Sequence, residues 1–409
     1  MSISGSPTRS FADRQFQRSC EPRRRREPYR VLNPAEFDLA KFANADNLYV
    51  AFQQLVDEGG HGAGIDGFRP EHFSDAELSP ILRSVSKAFE KEDDQPIAYR
   101  PYPTRRMEIP KSATKVRTLA LQRFTDRAVA KALTNCLTPF WERVIRRRSV
   151  WQIYAQLDRE IRRRRIHVLA IDDIQDCFPN APREEVLYWL FRHINNEELL
   201  DLIEQIVLGH EGQDQLTGLD QGSPSSPVAV DVLLYHRLDS ELETLSRNTP
   251  QYRYVDNLTY LCRDVREAAN VLAVARELVE RIGFRLKGTD GDPQDIRDPS
   301  YNRVILGLIP TWQNGRLSFS IPQKAFDHLE EGLRFANSAA RPLDNALGRC
   351  RGWLNSLGPA LTNAVTPEVV NRVVDMARLE GFRNVTRKDM FLTAEKARRA
   401  WCRVLEGAR

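Results

Sequence analysis

The pattern at the centre of the chain restricts its fold more than anything else. Residues 252–255 and 258–262 are both β-type runs, and only Asp256-Asn257 separate them. A two-residue link between such runs closes as a tight antiparallel hairpin. A third run, 167–171 (HVLAI), is apolar and ends in Asp172-Asp173, as a buried strand does. Around these strands the spacing turns helical. Helices are predicted at 183–194, 197–208 and 228–245, and Val265, Ala268, Leu272, Ala275, Val279 and Ile282 form a stripe that Gly283 stops. Strand, helices, hairpin and helix in that order define an α+β layer, with helices against an antiparallel sheet.

On the N-terminal side, Leu48, Phe52, Leu55 and Val56 share one helical face before a glycine-rich loop that contains Gly64-Ile65-Asp66-Gly67. A second helix is predicted with Ser79 as its N-cap and Pro80 at its first position. Residues 107–110 and 115–121 flank Ser112-Ala113-Thr114 and read as a hairpin with basic residues near its tip. Thr125 is the expected cap of a long helix with Val129, Leu133, Cys136, Leu137 and Phe140 on its buried face. Residues 218–227 (GLDQGSPSSP) form a turn-rich loop, and after Pro322 the pattern is helical to the end.

The chain has 409 residues with 41% apolar and 28% charged side chains, which excludes disordered, collagen-like and disulfide-scaffold classes. Six scattered cysteines without a CxxC pair exclude a zinc ribbon, and they fit a reducing, cytoplasmic setting. No run approaches the ~18 apolar residues of a membrane span, so no membrane partner is expected. Residues 1–30 read as a basic flexible arm without the apolar core of a secretory signal. Net charge is only +4, yet arginine comes in runs: Arg23, Arg24, Arg25 and Arg26 in the arm, and Arg162, Arg163, Arg164 and Arg165 before the first central strand. Such runs suit a phosphate backbone, but a GC-rich genome writing Arg for Lys on solvated faces produces them too.

Two acid-bearing turns carry the chemistry. If the strand ending at Asp173 lies beside the hairpin carrying Asp256, two carboxylates converge, and convergent carboxylates call for a cation. Mg²⁺ held by one or two carboxylates and substrate phosphates serves phosphoryl transfer.

From Gly64 to Gly307 the chain resembles the reverse transcriptases of the bacterial group II intron and retron kind. The elements, in order, are Gly64-Ile65-Asp66-Gly67; Ile109-Pro110-Lys111 with Lys115, Arg117 and Thr125-Asp126-Arg127; Asp173-Ile174-Gln175-Asp176-Cys177-Phe178; Gln221-Gly222-Ser223-Pro224-Ser225-Ser226-Pro227; Tyr254-Val255-Asp256-Asn257; and Ile305-Leu306-Gly307. This order is far more specific than any one motif. The resemblance implies a right-hand polymerase, with fingers over 31–165, a palm over 166–315 and a helical thumb over 316–409. It implies RNA-directed DNA synthesis on a primer 3′-hydroxyl, with Asp173, Asp256 and the Ile174 carbonyl on the metal, Mg²⁺ or the softer Mn²⁺. Lys111 and Arg117 would hold the triphosphate, and Gln221-Gly222 would approach the incoming nucleotide. Phe178 would exclude a 2′-hydroxyl, although its spacing fits ordinary core packing as well. Lys287 is a weaker candidate for donating a proton to pyrophosphate. Implied partners are an RNA template or dedicated non-coding RNA bound by the Arg runs, the DNA product and dNTPs; a homo-oligomer or a partner protein stays open.

Two departures bear on this expectation. Asn257 stands where the family has a second acid, removing one negative charge from the metal site. Only about a hundred residues follow Gly307, without an endonuclease pattern, which reads as a stand-alone member in a bacterial, antiviral-defence setting. Two alternatives remain: an RNA-binding, maturase-like protein with a weakened metal site, and a template-independent or protein-primed DNA nucleotidyltransferase.

Overall fold

The computed structural model describes residues 27–57, 62–69, 72–91, 95–112, 115–145, 148–208, 216–288, 293–337 and 342–407, without the side chains of 109–117. Its N-terminal part is a helical layer carrying one hairpin. Helix α1 (Ala45–Asp57) packs on α2 (Asp75–Lys87) and on α3 (Phe124–Val144), and between α2 and α3 run the antiparallel strands β1 (Arg105–Ser112) and β2 (Lys115–Leu121). Helix α2 starts earlier than Ser79. Ser74 and Glu77 form a capping box there, which satisfies two backbone donors at once, and Pro80 lies inside the helix. Helix α3 likewise begins at Phe124, so Thr125 is a buried first-turn residue and not the cap.

Helix α4 (Val150–Arg164) was not anticipated, although Ser149 and Gln152 form a second capping box and Ile153, Leu157 and Ile161 give a buried stripe. It ends at Arg165, whose φ of 56° turns the chain into β3 (Val168–Asp173). After the short helix α5 (Cys177–Asn180) come α6 (Arg183–Phe191) and α7 (Glu197–Leu208). The helix expected over 228–245 is interrupted. Helix α8 (Ser226–Leu234) passes into one π-helical turn (Tyr235–Asp239) and resumes as α9 (Ser240–Leu245).

Next come β4 (Gln251–Tyr254), β5 (Asn257–Cys262) and α10 (Val265–Glu280). With β6 (Gln294–Asp295), these strands make an antiparallel sheet of order β4-β5-β3-β6. The hairpin link is indeed two residues, but they are Val255-Asp256: Tyr254 pairs with Asn257, one position earlier than the sequence suggested. The sheet divides two hydrophobic cores. Val168 and Ala170 of β3 join a core with α1–α3, α6–α8 and α10, while Leu169 and Leu261 join a second core with α4 and the C-terminal helices. Alternation along a strand produces this division.

A turn at Leu306-Gly307, held where the Tyr154 hydroxyl donates to the Ile305 carbonyl at 2.8 Å, leads to the hairpin β7 (Ile309–Gln313) and β8 (Arg316–Ser320). Asn314 and Gly315 at its tip both take positive φ, as a two-residue hairpin turn requires. Helices α11 (Gln323–Ala336), α12 (Pro342–Ser356), α13 (Pro367–Leu379) and α14 (Arg387–Gly407) then close the second core over Trp401, whose indole donates to Thr362 at 2.8 Å. Among the described residues no helix is long and apolar enough to cross a membrane.

Candidate active site

Sheet register brings the two acidic turns together. Asp173 at the end of β3 lies opposite Asn257 at the start of β5, and the next amide, Ile174 N–H, donates to the Asp256 carbonyl at 2.9 Å. The chain past β3 is held on its other side as well: Lys287 N–H donates to the Asp173 carbonyl at 2.9 Å, and Gln175 N–H to the Arg285 carbonyl at 2.8 Å. None of these bonds uses the Ile174 carbonyl.

Alternation separates the adjacent acids. Asp172 has the parity of Val168 and Ala170 and is buried, where its Oδ1 accepts from Gly288 N–H at 3.1 Å and Asp173 N–H at 2.8 Å. It fastens the segment that carries Lys287. Asp173 has the opposite parity: its Oδ2 pairs with Lys287 Nζ, and its Oδ1 is buried with no hydrogen-bond partner. A buried carboxylate oxygen left in that state suits a cation. Asn257 Nδ2 donates to Asp256 Oδ1 at 3.1 Å, so the amide supports its neighbour where a second carboxylate would repel it. Among the described residues no three His, Cys, Asp or Glu side chains gather around a metal position. Two carboxylates remain, enough for a divalent ion that takes its other ligands from water and phosphates.

The loop carrying Gln221-Gly222 is bound on two sides. Leu219 N–H donates to the Phe178 carbonyl at 2.8 Å, Gly218 N–H to the Ala181 carbonyl at 2.8 Å, and on the far side Ala120 N–H of β2 donates to the Gln221 carbonyl at 3.0 Å. Gly222 has φ 110° with the Ala120 carbonyl 3.6 Å from where a Cβ would stand, so glycine is required by conformation more than by space. Phe178, half-buried, thus lies beside this loop. Cys177 next to it is buried, and burial followed by the Asp256 charge pushes its thiol pKa well up, as for an inert packing residue.

The N-terminal motifs fasten this frame. A Cβ on Gly64 would fall 2.5 Å from Asp66 Oδ1 and 2.8 Å from the Gln122 carbonyl, and Asp66 Oδ2 lies 3.9 Å from Arg123 Nε. Asp126, buried, accepts from the Tyr99 hydroxyl at 3.2 Å and Tyr102 N–H at 3.0 Å; burial raises its pKa despite these donors. Strands β1 and β2 carry Lys111 and Arg117, whose side chains lie outside the described residues, as do Arg23, Arg24, Arg25 and Arg26. At the end of α4, Arg162 donates to Asp158 at 3.0 Å, while Arg163 and Arg164 reach Glu160 at 2.6 and 2.8 Å; Arg165 is the helix C-cap.

Sequence reasoning passed over Arg253, whose Nη1 donates to the Val255 carbonyl in the hairpin turn at 3.0 Å. A signal was present: Asp231 interrupts the apolar run Val228 to Leu234, and a carboxylate there needs a partner.

Residues 109–289 match the reverse transcriptase (RNA-dependent DNA polymerase) family. The group II intron-encoded protein LtrA of Lactococcus lactis subsp. cremoris is 26% identical over 236 residues, a match covering 52% of this chain and 37% of that protein. The chain thus spans well under half the length of that relative. Solved structures include telomerase from Candida albicans in complex with a TWJ fragment of telomeric RNA (10% identity, 83% of this chain and 71% of that chain, TM-score 0.38). Apo telomerase from Candida tropicalis is another (11% identity, 75% and 67%, TM-score 0.40). At these scores the structural likeness carries no argument. The matched residues contain β2–β5 and both acidic turns, and over this stretch the chain is similar to reverse transcriptases, including the bacterial group II intron kind.

Proposed function

We propose that the chain is an RNA-directed DNA polymerase that adds dNTPs to a primer 3′-hydroxyl. The observation that carries this reading is the juxtaposition of Asp173, its buried Oδ1 without a hydrogen-bond partner, with the turn bearing Asp256. Asp173 and Asp256, with the Ile174 carbonyl, would hold Mg²⁺ or Mn²⁺. Divalent metal bound there would supply activation of the nucleophile and neutralisation of the leaving pyrophosphate. Asn257 orients Asp256 by its hydrogen bond while withholding a charge. Lys287, already paired with Asp173, supplies an ammonium near the leaving group. Lys111 and Arg117 on the hairpin face the triphosphate in this reading, and Phe178 excludes a ribose 2′-hydroxyl.

Fingers over 31–165, palm over 166–315 and thumb over 316–409 are the corresponding parts, with template RNA or a dedicated structured RNA met by the Arg runs. An antiviral-defence setting belongs to the same proposal and rests on analogy.

Primer extension on an RNA template tests the reading, with Mg²⁺ or Mn²⁺ and with dNTPs or NTPs. Template-directed DNA product that disappears in Asp256→Ala is the expected result. Tight RNA binding without product under every condition would favour a maturase-like RNA-binding protein, and product independent of the template would favour terminal or protein-primed transfer. Phe178→Ala should admit NTPs; unchanged sugar discrimination removes the gate assignment.

A further inference from the structure

Arg253 lies in β4, two residues before the turn, and its side chain is only 9% exposed. Its Nε donates to both Asp239 oxygens at 3.0 Å. Nη2 donates to Asp239 Oδ2 at 2.8 Å and to the Asp231 carbonyl at 3.1 Å. Nη1 donates to Asp231 Oδ1 at 2.6 Å and to the Val255 carbonyl at 3.0 Å. Every one of the guanidinium's five N–H bonds thus has an acceptor. The contact to Val255 reaches into the turn itself.

That contact falls on a strained residue. Val255 has φ 56°, a left-handed conformation that a β-branched side chain adopts only when its surroundings impose it. Asp256 follows directly, so the Val255 peptide decides the direction from which its carboxylate starts.

The π-helical turn explains how two carboxylates reach one guanidinium. Asp231 and Asp239 are eight residues apart. In an uninterrupted α-helix, eight steps of about 100° would leave them roughly 80° apart around the axis. One extra residue taken up by the Tyr235–Asp239 turn makes the offset that of about seven steps, within roughly 20°. The bulge thereby puts both acids on the face toward β4.

We infer that Arg253 is a positioning residue: braced by Asp231 and Asp239, it holds the Val255-Asp256 turn so that Asp256 faces the same reacting centre as Asp173. What the turn positions rests on the polymerase reading, but the bracing does not. Lysine cannot replace it, because a single ammonium lacks the planar fork that spans two carboxylates and a carbonyl.

The test uses the full chain with Arg253→Lys and, separately, Arg253→Met combined with Asp231→Asn and Asp239→Asn, which removes the buried charges together. Hydrogen exchange at the 255–258 amides is compared with that of β3, alongside kcat, the KM for a deoxynucleoside triphosphate and the melting temperature. In a variant that melts cooperatively, tip exchange should accelerate about tenfold or more with β3 unchanged. kcat should fall about 10²-fold while KM stays within about threefold. Unchanged tip exchange, unchanged kcat, or a kcat loss that only tracks the fall in melting temperature overturns the assignment. If the combined variant folds where Arg253→Lys does not, it alone decides. Should the wild type make no product, the polymerase reading fails on its own, and tip exchange still decides whether Arg253 braces the turn.

Discussion

Arginine does two different things in this molecule. At the end of α4, Arg162, Arg163 and Arg164 are 40%, 60% and 35% exposed and pair with carboxylates three or four residues back on their own helix. In β4, Arg253 is enclosed and pairs with carboxylates 14 and 22 residues back in the chain. Burial alone would lower its pKa, but Asp239 and Asp231 outweigh that and raise it above its ordinary value. The first group is screened by water and salt and is worth little to stability, so those side chains can exchange a carboxylate for a phosphate. The second cannot be disturbed without stranding a charge in the interior. Both are arginine near a turn; surroundings alone assign their roles.

The largest effect expected is on catalysis at the turn that Arg253 braces. Asp173→Ala should lower primer extension by about 10²-fold or more in either metal, because the proposed function makes Asp173 a metal ligand and its carboxylate pairs with Lys287. Retained activity would mean that Asp173 is not at the reacting centre. Next is stability: Asp239→Ala should cost about 3–5 kcal/mol in a denaturant titration, since Arg253 stays buried with three of its six hydrogen bonds gone. Glu160→Ala removes the partner of Arg163 and Arg164 together and should leave the melting temperature within about 2 °C. Equal destabilisation by the two would erase the contrast.

Smaller changes sharpen it. Asn257→Asp exchanges a hydrogen bond to Asp256 for a second charge, so half-maximal extension should need less Mg²⁺, by about tenfold, with a smaller benefit from Mn²⁺. A metal titration of extension rate reads this directly. The smallest effect concerns a third, intermediate cluster. His236 stacks on Trp189 and shares a 2.7 Å Nε2–Nε2 contact with His193; burial first, then the charge of His193, lowers its pKa to about 4. The unfolded imidazole, near 6.5, is protonated before the folded one. Stability from this pair should therefore be whole above about pH 6.5 and drain away as pH falls toward 4. His236→Gln should flatten that slope, and an unchanged pH dependence of the melting temperature would show that the pair carries none of it.

Much of the fold was legible because its signals are local. Periodicity located β3, β4, β5 and most helices, and the order of the motifs points to the family. Where local signals competed, the stronger one won: the Ser74–Glu77 box set the start of α2 against the Ser79-Pro80 pair. The Asn314-Gly315 hairpin and α4, with its capping box, carried readable signals that were passed over.

The sequence by itself determined that acids stand at the ends of β-type runs, that glycine stands where φ must be positive at Gly222, and that charge is clustered. Only the tertiary structure decided how the adjacent acids Asp172 and Asp173 are partnered. Pairing β3 with β5 put Asp173 opposite Asn257 and turned Asp172 toward Gly288, and it moved the hairpin turn to Val255-Asp256. It also decided that Arg253 would meet Asp231 and Asp239, because that meeting needs the sheet on one side and a π-helical turn on the other. Short-range patterns specify elements through neighbours a few residues away; the partners of a buried charge are set by elements that become neighbours only when the chain has folded.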